Sequence, residues 1–173
     1  MKRGLLIVFT GQGKGKTTAA LGMALRAAGH GMRVLILQFI KGTWKYGELS
    51  SLNRFEEITI QPLGSGFTWR KENLDEDREL ARLGWDKAQY EIDHGNYDMI
   101  ILDELNYVLS YGLLAIDSVL DSVKNRRKDL HLVVTGRNAP AELIQQADLV
   151  TEMHLIKHPY KEHGVKAQKG IEY

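Results

Sequence analysis

The chain has 173 residues, 43% of them hydrophobic, a formal net charge of +1 and no cysteine. Residues 1–173 suit a single domain with an ample core, and the near-neutral charge gives no general electrostatic footprint for nucleic acid, although a local patch stays open. The missing cysteines exclude disulfides, thiolate metal sites and thiol redox chemistry; with no signal peptide and no segment of membrane-spanning length, a soluble, cytoplasmic protein without a membrane partner is expected.

The first predicted strand, Leu5 to Thr10, stops at a glycine-rich turn, Gly11-Gln12-Gly13-Lys14-Gly15-Lys16-Thr17-Thr18. A small-residue helix follows through Ala19, Ala20, Ala24 and Ala28, ended by Gly29 or Gly31. Strand, glycine turn and helix in this order hold a polyphosphate. The glycines let successive N–H groups curl inward, Lys16 supplies a mobile positive charge, and the Thr17 hydroxyl can ligate the accompanying Mg²⁺. The usual spacing, G-x-x-x-x-G-K-S/T, puts Thr10 where the first glycine belongs; Gly11 and Gly13 are expected to supply the curl lost there.

Strands are predicted next at Arg33 to Phe39 and at Ile58 to Leu63, with an irregular stretch from Gly42 to Asn53 between them. Gln38 and Lys41 stand at the end of the former. A second irregular stretch, Gly64 to Asn73, contains Gly64-Ser65-Gly66-Phe67-Thr68-Trp69. Its glycines suggest a mobile flap whose aromatics, Phe67 and Trp69, suit a large flat ligand; ordinary core packing is the competing reading. Asn73 with Glu76 then makes an N-terminal cap for a helix to Gly95, with Asp75 and Asp77 favouring its first turn. Its apolar stripe runs through Leu80, Ala81, Gly84, Trp85, Ala88 and Ile92.

The strand Met99 to Leu102 is continuously apolar and ends in Asp103 and Glu104. Beside a phosphate loop such acids reach the Mg²⁺, and because adjacent strand residues point oppositely, one is expected to ligate while the other orients it. A helix follows through Ile116, Val119, Leu120 and Val123, then a strand from Leu130 to Thr135. Arg137, just after it, can clamp an anion. A short helix after Pro140 and a strand from Leu149 to Ile156 complete the pattern. His154, His158 and His163 have a metal cluster's spacing but fall in a strand end and an irregular tail, so no zinc site is expected. Lys157, Lys161, Lys166 and Lys169 make that tail basic. Alternation of this kind predicts an α/β, three-layer, P-loop NTPase-like fold: a mainly parallel central sheet of about six strands, helices on both faces, ligands at the carboxyl ends.

These segments together resemble the P-loop type of ATP:corrinoid adenosyltransferase, a family of cobalamin biosynthesis and salvage. The likeness runs nearly end to end. It covers Thr10 to Ala20, Gln38-Phe39-Ile40-Lys41-Gly42, Gly47-Glu48, Gly66-Phe67-Thr68-Trp69, Leu102-Asp103-Glu104-Leu105, Thr135-Gly136-Arg137, Lys157-His158 and Gly164 to Tyr173. The loop without its first glycine is this family's own form, and the closing tail is the most specific piece.

The resemblance implies transfer of the 5′-deoxyadenosyl group of ATP to the Co(I) of a reduced corrinoid, with triphosphate leaving. It implies Lys16 and Glu104 as catalytic residues, and Thr17, Glu104 and Asp103 as the Mg²⁺ site. Gly11, Gln12, Gly13, Lys14, Gly15, Lys16, Thr17, Thr18, Lys41, Phe67, Trp69, Arg137, Lys157 and His158 would bind ATP and the corrinoid, Arg137 through phosphate or a corrin carboxamide. Co(I) is itself a strong nucleophile, so no activated serine, cysteine or general base is required, and none is evident. The protein's task is to align C5′ with cobalt, neutralise the leaving group and keep water out.

The resemblance further implies ATP threaded through the loop in reverse polarity, a separate electron donor (flavodoxin-like or a small reductant) and a homodimer. Relatives often carry an N-terminal segment that helps cover the corrinoid; here the first strand starts almost at once, so a different or looser cover is expected. The alternative on the same scaffold is a small-molecule kinase or ATPase acting at the γ-phosphate. It would share Lys16, Thr17, Asp103 and Glu104 without needing the flap or the tail. A non-catalytic nucleotide switch is the remaining reading.

Overall fold

Strand and helix alternate from the first turn of the chain: β1 (Leu6–Thr10), α1 (Lys16–Ala28), β2 (Val34–Gln38), α2 (Gly47–Leu52), β3 (Ile58–Pro62), α3 (Asp75–His94), β4 (Met99–Asp103), α4 (Leu105–Ser110), α5 (Ile116–Asn125), β5 (His131–Thr135), α6 (Ala141–Gln146), β6 (Leu149–Glu152) and α7 (Pro159–His163). The computed structural model describes residues 3–42, 46–64, 66 and 74–172. The strands form one sheet in the order β3-β2-β4-β5-β1-β6, and every neighbouring pair is parallel. The register sets Gln38 opposite Asp103 and Phe9 opposite Thr135, which brings the ends of β2, β4, β5 and β1 to one level.

Successive side chains on a strand face opposite sides, and in the central strands both sides are covered. Leu6, Val8, Leu35, Leu37, Ile100, Leu102, Leu132 and Val134 share a core with Ala81, Trp85 and Ile92 of α3, Val108 of α4 and Val119 of α5. Ile7, Phe9, Val34, Ile36, Ile101 and Val133 share the other core with Ala20, Ala24 and Ala27 of α1. Burial on both faces is why these strands read as unbroken apolar runs, and the alanines let α1 lie close to the sheet. Among the described residues no helix is long and apolar enough to cross a membrane.

Three local expectations change, and a fourth falls outside the described residues. β6 ends at Glu152 rather than Ile156, because β1, its one partner among the described residues, curls into the glycine turn after Thr10 and leaves no ladder to extend. The stretch expected to be irregular between Gly42 and Asn53 contains α2, and the tail contains α7. α3 begins behind Leu74, which makes no side-chain cap; the expected cap, Asn73, lies outside the described residues. Asp75, Glu76 and Asp77 do fill the first turn, where the helix dipole favours them.

Candidate active site

The glycine turn joins β1 to α1 and is built against the segment that follows β6. Gly13 donates its N–H to the Met153 carbonyl at 2.6 Å, and a Cβ on Gly13 would come within 2.7 Å of that oxygen and 2.8 Å of the His154 carbonyl. A Cβ on Gly11 would meet the same oxygen at 2.5 Å. These two glycines are therefore required by close backbone approach, with Gly11, at φ 94, also taking the left-handed turn. Thr10, where a glycine was expected, accepts a bond from the Ala139 N–H at 3.1 Å and so ties the turn to the loop after β5. Gln12 binds Asn138 in that loop at 2.9 Å.

Lys16 opens α1 and is buried. Its Nζ donates to the carbonyls of Gly11 at 2.9 Å and Gly13 at 2.6 Å, curling the side chain back over the turn. Burial holds the ammonium below its ordinary range, the Glu104 carboxylate opposes that shift, and Arg137 adds to it. Thr17, the next residue, donates its hydroxyl to Asp103 Oδ1 at 2.8 Å.

Asp103 is fully buried, yet its oxygens are engaged three times: Thr135 Oγ1 also donates to Oδ1 at 2.7 Å, and Gln38 Nε2 donates to Oδ2 at 3.1 Å. Thr135 in turn accepts the Glu104 N–H at 2.9 Å. The strand-end threonine and glutamine thus lock the aspartate, which leaves it orienting Thr17.

Glu104 differs. It has left the strand for a left-handed turn, φ 66, so the alternation expected of a continuing strand no longer places it. Of the described residues only Glu104 and Asn138, both just beyond strand ends of the site, are non-glycines with positive φ. Glu104 Oε2 is sealed from solvent and has no hydrogen-bond partner. Its carboxyl is pushed up to about 7, first by burial and then by Asp103, while Lys16, Lys41 and Arg137 pull it down. One carboxylate thus feels three cations, from the start of α1 and from the loops after β2 and β5. A carboxylate oxygen without a partner and a threonine hydroxyl that keeps acceptor lone pairs after donating to Asp103 are oxygen donors of the kind a hard divalent cation takes.

The remaining expected residues divide. Lys41, after β2, is held by Glu48 at 2.6 Å and lies 4.7 Å from the Tyr46 ring centroid, still within electrostatic reach of Glu104. Arg137 is exposed and has no hydrogen-bond or ion-pair partner among the described residues. Lys14 points away to form an ion pair with Glu172 of the tail. His158 caps α7, its Nδ1 accepting from the Tyr160 N–H at 3.2 Å, and makes no hydrogen bond with the Asp103 cluster among the described residues. Lys157 and Thr18 are exposed and make no contact with that cluster. Phe67 and Trp69 lie outside the described residues.

Sequence reasoning missed the parts played by Thr10, Gln38, Glu48, Thr135, Asn138 and Glu172. Position at or just beyond a strand end was the available signal for Thr10, Gln38, Thr135 and Asn138; nothing local marks the parts of Glu48 and Glu172.

Residues 2–173 match the family model described as ATP:corrinoid adenosyltransferase BtuR/CobO/CobP. The chain is 44% identical over 173 residues to a corrinoid adenosyltransferase of Pseudomonas aeruginosa, covering 99% of this chain and 85% of that one. Identity is 41% over 172 residues to the corrinoid adenosyltransferase of Escherichia coli K12 and 40% over 172 residues to corrinoid adenosyltransferase CobA of Salmonella typhimurium; in both cases 99% of this chain and 87% of the relative are covered. The flagellar accessory protein FlaH of Methanocaldococcus jannaschii superposes with a TM-score of 0.53 at 14% identity, over 88% of this chain and 72% of that one, a likeness of fold alone.

Proposed function

The chain belongs to the ATP:corrinoid adenosyltransferase BtuR/CobO/CobP family, and from that premise we propose how its site performs the reaction. The enzyme transfers the 5′-deoxyadenosyl group of ATP to a reduced corrinoid. Co(I) gives an electron pair to C5′ and becomes Co(III), the C5′–O5′ bond breaks, and triphosphate leaves with that bond's electrons. The observation that carries this reading is the family match over residues 2–173 on a chain that keeps the glycine turn, Lys16 and both strand-end acids.

No side chain has to act as nucleophile, because cobalt is one. What remains is electrostatic and geometric. Lys16 is proposed to leave the Gly11 and Gly13 carbonyls for phosphate oxygens, a swap that its exchangeable bonds to neutral acceptors support. Thr17 and Glu104 would hold Mg²⁺, with Asp103 positioning the threonine; the unpartnered Glu104 Oε2 supports this division. Bound there, Mg²⁺ neutralises charge on the triphosphate. Arg137, without an ion-pair partner among the described residues, and Lys41, in reach of Glu104, add positive charge around the same point. Lys14 is released to the nucleotide only if it parts from Glu172.

The same proposal takes residues 1–173 as one domain acting in the cytoplasm, where its co-substrate ATP is, with a separate flavodoxin-like protein or small reductant delivering electrons. It also takes the active form as a homodimer, which the exposed Leu149 and Val150 on the edge strand β6 support. Phosphate release tests the reaction: anaerobic incubation of MgATP with a Co(I) corrinoid should yield intact triphosphate and a light-sensitive organocobalt product. Stoichiometric ADP would overturn the reading in favour of γ-phosphate chemistry.

A further inference from the structure

At the end of the sheet opposite the glycine turn, residues just ahead of the strands line a cleft of about 660 Å³. Its walls carry Arg3 ahead of β1, Lys124 in the last turn of α5, and Arg126, Arg127 and Lys128 ahead of β5. Close backbone contact joins the two segments: Gly4 donates its N–H to the Lys128 carbonyl at 2.7 Å, and a Cβ on Gly4 would come within 2.1 Å of the Leu130 carbonyl oxygen. β1 and β5 are each five residues long, so the cleft lies about 16 Å from the nucleotide site at their carboxyl ends.

Five cationic side chains meet two carboxylates here, Asp129 in the wall and Asp148 beside it, in a chain whose formal net charge is only +1. Asp148 pairs with Arg3 and Arg126, and Asp129 lies 3.6 Å from Arg127. A guanidinium has five N–H donors. Arg127 gives one to the Gly95 carbonyl at 3.3 Å and one to that of Tyr97 at 2.6 Å, Arg126 gives one to the Val123 carbonyl, and neither Nε has a hydrogen-bond partner. The bond to Val123 is ordinary capping of a helix C-terminus. No such role covers Lys124 and Lys128, whose side chains make no hydrogen bond or ion pair among the described residues. Burial holds the Arg126 guanidinium below its ordinary range, with Asp148 opposing that shift and Arg3 adding to it, so the cluster is short of negative charge.

We propose that this cleft is a second anion site, which takes a run of linked phosphates such as free triphosphate or the polyphosphate of a nucleotide. It is separate from the nucleotide site and does not depend on the adenosyltransferase reading. Guanidiniums held by backbone carbonyls are ordered before a ligand arrives, and their remaining forked donors match phosphate oxygens; the two lysines add mobile point charges. A cleft of this volume suits a small molecule, whereas a nucleic acid or a membrane would engage a longer stripe or a flatter face.

The test is calorimetric titration of inorganic triphosphate, without metal, into the full chain carrying Lys16→Ala, which weakens the nucleotide site. One triphosphate per chain is still expected to bind. Adding Lys124→Gln together with Lys128→Gln should weaken that binding about tenfold, and adding Arg127→Gln instead should do the same. Both lysines are exposed, so their paired substitution should leave the thermal midpoint unchanged, and it decides the case if Arg127→Gln unfolds. In the otherwise unaltered chain the lysine pair should leave turnover of MgATP with reduced cobalamin within about twofold. Titration of metal-free ATP into the Lys16→Ala chain separates the sources. ATP binding no tighter than triphosphate means that the phosphates alone are read; tighter binding that is lost with the lysine pair makes a nucleotide the occupant. Absence of triphosphate binding to the Lys16→Ala chain, or binding indifferent to the lysine pair, would overturn the site. So would a single-stranded RNA oligonucleotide that binds through the lysine pair where triphosphate does not, which would make the cleft a nucleic-acid contact.

Discussion

Asp103 and Glu104 are neighbours in sequence with opposite surroundings, and that contrast organises the chemistry of single residues here. Asp103 is fully buried, and Thr17, Thr135 and Gln38 all donate hydrogen bonds to it. Asp103→Asn would set an amide against those donors; we expect a loss of about 1–3 kcal/mol in denaturant unfolding, and slower turnover because Thr17 is no longer oriented. Glu104 has no such donors. Burial, and then the Asp103 charge, push its carboxyl up to about 7 in the folded protein, from an ordinary value of 4.5. Between those values the unfolded chain has lost its proton and the folded one keeps it, so this group lowers stability as pH rises through that window. Unfolding of the metal-free protein followed across the window should show the decline, and Glu104→Gln should flatten it. Lys16→Ala removes the buried cation; kcat/KM is expected to fall about 10²–10³-fold, as for loss of one donor to a developing anion, with calorimetry showing weaker ATP binding.

At the scale of elements, the glycines of the turn and of α1 do different things. Gly22 lies exposed in α1 with nothing within 4 Å of an added Cβ, so Gly22→Ala should stabilise the protein by about 0.5–1 kcal/mol through helix propensity alone. Gly13→Ala should instead cost about 1–3 kcal/mol, because its Cβ would press on the Met153 and His154 carbonyls, and it should displace the turn that cradles phosphate. Chemical denaturation of both variants separates the two cases; equal effects would mean that the segment after β6 does not brace the turn. That bracing also accounts for the short β6. Its continuation is diverted to bond the turn, Met153 accepting from Gly13 and donating to Thr10.

For the molecule as a whole, the crossover order of the sheet brings β1 between β5 and β6 and places β4 next to β5, so the phosphate turn, the acids and the Arg137 loop meet at one edge. Ligand there should stabilise the entire fold by mass action. At free MgATP one hundred times its dissociation constant the gain is about 2.7 kcal/mol, several degrees in thermal midpoint for a chain of this size. Lys16→Ala should lose most of that shift at the same nucleotide concentration.

Local patterning was enough for the order of the six strands, for α1, α3, α5 and α6, for the phosphate turn and for the acids at the end of β4, but not for the short helices α2, α4 and α7, because apolar runs, alanine-rich helices and glycine punctuation act over a few residues while five- or six-residue helices carry too short a pattern. The tail motif and the aromatic stretch carry the family likeness in the sequence itself. The lock on Asp103 was out of reach of that reading. It depends on Thr17, Gln38 and Thr135, which are far apart in sequence and meet only once strand order and register are set. The environment of Glu104 is tertiary for the same reason: a carboxylate's charge state follows from what surrounds it in space, and here burial, Asp103 and the cations at the start of α1 and in the loops after β2 and β5 decide it.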